Sequence, residues 1–416
     1  MSSKKTSPAL FATLAVATIV FGLTVSAQAQ TESVLYAFTG TDGYGPYANL
    51  VFDAAGNLYG TTVIGGASDA GTVFQLTPTS SGWQESVLYS FTGGSDGANP
   101  WSALVLDAAG NLYGTTYFGG SHSYGIVFSL SQTSTGWQFT VLHSFTGGFD
   151  GGNPHAGVIL DTSGNLYGTT YFGGRGNGVV FELSPSATGW KESVLHFFSG
   201  QNDGGYPGSR LLFDAAGKLY GTTTAGGLDH QGVVFRLSPN SSGTWNEAVL
   251  HAFTGGKDGA VPWGGLIVDP AGNLYGTTLN GGNLTTCSGM GCGTAFKLKP
   301  ASNGAWIESV LHSFIGKADG AFPYGGLTID ASGNLYGATY FSGNLTDCSG
   351  SGCGNIFKLT HSAGSNWKET VLYTFKGDTD GADPYSPPIL DAAGNLYGVA
   401  PQAGSTQMGV VYEITP

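Results

Sequence analysis

Residues 53–62 read DAAGNLYGTT, and residues 107–116 spell the same ten letters again. Variants follow as DTSGNLYGTT from 161, DAAGKLYGTT from 214, DPAGNLYGTT from 269, DASGNLYGAT from 330 and DAAGNLYGVA from 391. Aligned on the glycine before NLYG or KLYG (Gly56, Gly110, Gly164, Gly217, Gly272, Gly333 and Gly394), the repeats are spaced by 54, 54, 53, 55, 61 and 61 residues. A period of this length belongs to a propeller or a solenoid, and the content of one repeat decides between them.

No stretch carries a sustained helical period. Short β-branched and aromatic runs bounded by Gly, Pro, Asn and Asp occur instead. In the second repeat SALVLDA (102–108) predicts a first strand and NLYGTTYF (111–118) a second. Asp107 and Gly110 make the hairpin between them, the carboxylate accepting from turn amides and the glycine taking a positive φ. GIVFSL (125–130) and FTVLHSF (139–145) predict the third and fourth strands, with Val141, His143 and Phe145 sharing one face by simple alternation. The tyrosine of LYG is placed to pack on a neighbouring blade.

The two ends are complementary. ESVLYAF (32–38) is a fourth-strand sequence with no first three strands before it, and GVVYEITP is a third strand with no fourth after it. Joined, they complete a seventh blade and leave no open strand edge, which a linear solenoid would not need. The predicted fold class is therefore all-β: a seven-bladed β-propeller of four-stranded antiparallel blades, closed by the N-terminal strand, forming one domain over 30–416.

Residues 1–29 read as a secretory signal peptide: Lys4 and Lys5, the apolar run ALFATLAVATIVFGLTV, then Ala27-Gln28-Ala29 as a cleavage site. Removing them loses two lysines and no acids, so the net charge moves from −13 to −15. An acidic chain with few, scattered cations argues against nucleic acid and anionic membrane as partners. The mature chain is expected to be exported (secreted, periplasmic or held in the envelope by contacts), monomeric and without a transmembrane segment.

The stretch VLYSFTGGSDGANPWSALVLDAAGNLYGTT (87–116), followed by GG, G, VF and L at set offsets, resembles the Gloeo/Verruco (GloVer) tandem repeat of bacterial secreted proteins. The resemblance spans 32–416, every repeat carrying it. The LYG, GG and Trp-hairpin order also resembles kelch propellers, and D-x-x-GNLY resembles NHL blades. The resemblance implies export and, in many members, C-terminal surface anchors, which GVVYEITP does not match. It implies no defined activity.

On a propeller the loops divide between two faces. The DAAGN and PTSSGW hairpins are short and uniform. The GG loops and the crossing loops FTGGxDGxxP vary, and variable loops on a rigid scaffold are where binding is expected. The residue after each crossing-loop Pro differs by blade: Tyr47, Trp101, His155, Gly208, Trp263, Tyr324 and Tyr385. These seven should ring the mouth of the central channel, either as packing between blades or as a stacking surface for sugars and other flat ligands. Two positions further, Arg210 stands among Asn49, Ala103, Gly157, Gly265, Gly326 and Pro387. It could bind an anionic group or pair with an Asp and plug the channel. Trp83, Trp137, Trp190, Trp245, Trp306 and Trp367 sit at the outer hairpins and read as structural.

Catalytic signatures are weak. GGSDG (93–97) matches G-x-S-x-G only formally, since it lies in a crossing loop and not on a strand–turn–helix elbow. His143, His196, His251 and His312 interchange with Tyr36, Tyr89 and Tyr373, which points to packing and not to a metal ring. The second Asp series (Asp42, Asp96, Asp150, Asp203, Asp258, Asp319 and Asp380) reads as turns; a calcium site would need about six to eight converging oxygens. CSGMGC (287–292) and CSGSGC (348–353) lie in the lengthened loops of repeats five and six. In an exported chain they are expected as the bridges Cys287–Cys292 and Cys348–Cys353, with a four-Cys zinc site between the loops as the alternative. No catalytic residue, metal or cofactor is expected. Two functional classes stand: an exported binding or scaffold propeller directed at carbohydrate or another small ligand, or a lyase- or hydrolase-type propeller enzyme acting on polysaccharide or peptide at the channel mouth.

Overall fold

The computed structural model describes residues 30–361 and 366–415; the segment read as a signal peptide, 1–29, lies outside them. Seven four-stranded antiparallel sheets surround a central channel. Blade one contains Val51–Phe52, Leu58–Thr62, Thr72–Thr79 and Gly82–Ser90 from the inside outward. Blade seven contains Ile389–Leu390, Leu396–Ala400 and Val410–Thr415, and its outer strand is Thr31–Ala37 from the other end of the chain. That strand runs antiparallel to Val410–Thr415, from Thr31 opposite Thr415 to Ala37 opposite Val410. The chain termini thus close the ring as their half-repeats require.

Each DAAGN turn is built around its aspartate. Asp53 Oδ1 accepts the amides of Ala55 and Asn57, while Oδ2 accepts the Asn57 side chain at 2.7 Å and the Tyr59 hydroxyl at 3.0 Å. Gly56 takes φ 86°, the left-handed region that a β-carbon disfavours. The LYG glycine answers a different demand. A Cβ on Gly60 would lie 2.5 Å from Cζ of Phe74, so the third-strand ring can lie flat on the second strand only over a glycine.

That ring is one half of a seam repeated at every blade boundary. The phenylalanine opening each crossing loop (Phe38, Phe91, Phe145, Phe198, Phe253, Phe314, Phe375) is fully buried. It meets the third-strand ring of the next blade edge to face, with centroids 5.0–5.3 Å apart. Removing one such ring to alanine costs about 3–5 kcal/mol. Nearer the hairpin face the LYG tyrosines meet the outer-hairpin tryptophans of the next blade, as in Tyr59–Trp137 and Tyr397–Trp83.

Two strand expectations are corrected. Only Val105–Leu106 of the predicted 102–108 strand pairs in the ladder. The carbonyl of Ser102 is taken by the Thr61 hydroxyl of the preceding blade, and that of Ala156 by Thr115, so the upper inner strand is tied sideways between blades. In the outer strands a bulge interrupts alternation: Phe128 opposes Val141 and Val127 opposes His143, leaving Leu142 extra. Val141 and His143 therefore lie on opposite faces, and the bulge turns the histidine toward the crossing loop.

Candidate functional site

The crossing loops and GG loops share one face, joined by bridges such as Ala98–Phe118 and Gly152–Phe172. At its centre the six ring-bearing residues after the crossing-loop prolines touch in sequence around the channel axis. Centroids are 4.7 Å apart for Tyr47–Trp101, 5.7 Å for Trp101–His155, 5.1 Å for His155–Trp263, 6.4 Å for Trp263–Tyr324, 4.7 Å for Tyr324–Tyr385 and 5.5 Å for Tyr385–Tyr47. The circuit closes although blade four contributes no ring. A Cβ on Gly208 would stand 3.7 Å from Trp263 Cε2, so the indole of blade five covers the gap to reach His155. All six rings are half-buried. Enclosure lowers the His155 pKa to about 4, only partly offset by a hydrogen bond with the Gly208 backbone, so the imidazole is neutral at physiological pH.

A second tier of aromatics widens this collar. Tyr117 approaches His155, Tyr171 approaches Trp263 and Tyr340 approaches Tyr324, at 6.0, 5.8 and 5.3 Å. Phe118 and Phe172 beyond them are 48% and 41% exposed. This tier comes from the GG loops and was not singled out from sequence; the YF pairs at 117–118, 171–172 and 340–341 were the available signal.

Asp383 stands beside the collar, two residues before Tyr385, and its charge acts on Tyr47 and Tyr340. Burial raises its pKa to about 6, and Oδ1 has no hydrogen-bond partner. The same register in other blades holds Asn99 and Asn153, whose side-chain amides donate to the carbonyls of Val63 and Tyr117, both at 2.9 Å.

Arg210 lies one tier deeper, where a space of about 100 Å³ beneath the collar meets a channel of about 760 Å³. Its side chain is open to solvent in the channel but walled by protein, and that enclosure lowers its pKa. Among the described residues it has no ion pair and no hydrogen bond, so the Asp partnership considered from sequence is not formed.

The second Asp series serves its own loops and the seams. Asp96 accepts the Thr92 amide and hydroxyl and, at 3.0 Å, the Tyr89 hydroxyl. Nε2 takes that place in blades four and five, His251 reaching Asp258 at 3.2 Å and His312 reaching Asp319 at 3.3 Å, while His143 and His196 stand 3.4 and 3.5 Å from Asp150 and Asp203 without a hydrogen bond. Tyr and His interchange because both offer a ring donor at that reach. Facing each pair from the next blade is a glutamate absent from the sequence reading: Glu32, Glu85, Glu192, Glu247, Glu308 and Glu369 each bury an Oε1 without a partner. Burial, with the adjacent Asp second, raises the first five to about 7. In blade two Phe139 replaces the glutamate and stacks on Tyr89 at 4.0 Å.

The cysteines form Cys287–Cys292 and Cys348–Cys353, with Cα separations of 5.4 and 5.5 Å, which removes the thiolates that the zinc alternative needed. Each bridge lies against the next crossing loop: a Cβ on Gly316 would fall 2.9 Å from both sulfurs of the first. In blade two Tyr124 fills the same place over Gly147.

A seven-bladed propeller with an aromatic collar on its variable face and one unpaired cation in its bore is the class that fold and site define. The Gloeobacter/Verrucomicrobia repeat profile matches residues 15–186, 132–344 and 284–416, and the chain belongs to that family. No protein of curated function matches it. Among solved structures, a Bacteroides uniformis protein described as a "putative 6-phosphogluconolactonase" is 15% identical, with a TM-score of 0.50 over 78% of this chain and 84% of that one. A Thermus thermophilus protein described as a "putative oxidoreductase (glucose dehydrogenase)" is 14% identical, with a TM-score of 0.45 over 93% of this chain and 100% of that one. At such identity the first likeness shows the fold.

Proposed function

We propose that this protein is an exported binding propeller whose variable face takes carbohydrate on the aromatic collar. The observation that carries the reading is the closed circuit of six half-buried rings, bordered by the exposed Phe118 and Phe172. Partly open rings on rigid backbone at the variable face offer sugar faces a large, preorganised contact. Export is supported by the segment 1–29 and by the two disulfides. Among the described residues no helix is long and apolar enough to cross a membrane. The test is a glycan screen followed by titration of the best ligand. Trp101→Ala/Trp263→Ala should weaken binding at least tenfold while circular dichroism shows a folded propeller. A folded double variant that binds as before would sink the assignment.

A second reading, a hydrolase- or lyase-type enzyme, is favoured by Asp383 alone: a carboxyl able to hold a proton near pH 6 at the collar's edge. Its folded pKa lies above the ordinary 3.8, so its contribution to stability is complete below 3.8 and lost as pH rises through about 6. Asp383→Asn would restore the donor that Asn99 and Asn153 supply. It should raise stability at pH 7.5 by about 1–2 kcal/mol, a figure reduced for partial solvent screening. A gain would mean that the carboxylate is kept against stability, as functional groups often are; a loss in thermal unfolding would make Asp383 an ordinary structural residue and remove the basis of this reading.

A further inference from the structure

Below the collar the channel is a chamber of different chemistry. It runs from the Arg210 tier to Phe52, Leu106 and Phe213, the residues just before the Asp turns, and so opens toward the hairpin face. Its volume of about 760 Å³ falls within the range of small-molecule sites, about 300–1,000 Å³. The wall is made of inner-strand Val, Leu, Ile and Phe side chains, with Thr328 and Asn49 as polar exceptions and no acidic residue. Asn49 is already committed, donating to the Pro387 carbonyl at 2.8 Å.

Arg210 is the one charged group in this lining. Its register neighbours are small where the inner strands abut: a Cβ on Gly157 would lie 2.2 Å from the Ala103 carbonyl oxygen, and one on Gly326 lies 2.3 Å from that of Gly265. A long side chain at those positions would break the ring, whereas the strand at Arg210 leaves it free to enter the bore. A guanidinium does not shed its proton, and its five donors are matched to planar oxyanions. In an acidic chain that places no carboxylate beside it, the guanidinium is available to an anion that enters the channel from solution. We propose that the bore is a second binding site, reached from the hairpin face, for an organic carboxylate with an apolar body, its head on Arg210 and its tail against the Leu/Val/Ile wall. From Arg210 to Phe213 the strand rises roughly 10 Å, which suits a chain of the length of octanoate. The site does not depend on the collar reading, since the two open on opposite faces.

Octanoate, 1-octanol and sulfate are the probes, titrated calorimetrically into the intact chain. Octanoate should bind at one saturable site; octanol, with the same tail, and sulfate, with charge alone, should each bind at least tenfold more weakly. Arg210→Gln should weaken octanoate at least tenfold and leave octanol unchanged. Should Arg210→Gln fail to fold, the ¹⁵N resonance of Arg210 Nε in the parent chain gives the answer: it must shift on adding octanoate. Unaltered octanoate binding by folded Arg210→Gln, octanol or sulfate binding as tightly as octanoate, or a silent Arg210 resonance would each overturn the proposal.

Discussion

A chain that begins at Thr39 is expected to unfold far below one that begins at Gln30. The missing strand Thr31–Ala37 is the outer strand of blade seven, and its removal bares the edge of Val410–Thr415. Phe38 is lost with it, fully buried and edge to face with Phe74 of blade one at 5.0 Å. That ring alone accounts for about 3–5 kcal/mol, to which the ladder and the contacts of Tyr36 are added. Thermal unfolding followed by circular dichroism should show a drop of many degrees or outright aggregation. Equal melting of the two chains would mean that the ring does not depend on its closing strand.

The second large effect is on pH dependence. Five of the six seam glutamates have folded pKa values raised to about 7 from an ordinary 4.5, by burial first and by the neighbouring aspartate second; Glu369 is raised too. A raised carboxyl pKa means that the folded state holds its proton more tightly than the unfolded chain. The resulting stability is complete below about pH 4.5 and lost as pH rises through 7. Above that, six seams each confine two carboxylates. The histidines act on the other side: burial lowers His143, His196 and His251 below 6.5, with their aspartates opposing, so stability falls as acid forces protons onto them. The melting temperature should therefore peak in acidic solution, decline as pH rises from about 4.5 through about 7, and level off above that. Because the glutamates are only half-buried, solvent screening makes each contribution modest and the effect cumulative. Glu192→Gln/Glu247→Gln/Glu308→Gln should flatten that decline by about half; an unchanged slope would show that these carboxyls are solvated.

What the sequence made legible follows from where each feature finds its partner. The turn Asp, the positive-φ glycine and the strand after them are settled within ten residues, so seven near-copies disclosed seven blades. Ring closure was legible because ESVLYAF and GVVYEI are matching halves of one pattern. The shortened inner strand was not, since the hydroxyl that takes the Ser102 carbonyl belongs to Thr61, 41 residues earlier. Nor were the seam glutamates: in QESVLYS alternation sets the Glu on the face of Trp83 and Val87, but register does not convey that the adjoining blade's Asp stands beside it there. Register alone placed Tyr47, Trp101, His155, Trp263, Tyr324 and Tyr385 around one mouth. That their rings touch in a closed circuit, with Trp263 reaching across Gly208, depends on side-chain lengths that register does not convey.

The pairing of Thr31–Ala37 with Val410–Thr415 also bears on how the molecule comes into being. The ladder that locks the ring joins segments separated by nearly the whole described chain, so the loop-closure entropy is met in full before that ladder forms. Blades one to six can assemble from local hairpins as the polypeptide emerges, but the first strand made has to wait for the last. Until then one sheet edge stays open at each end of a growing arc, which is the interval in which a partner chain could capture it. Assembly of this protein should thus be limited by a single late event, and agents that shield strand edges should act on its yield more than on its final stability.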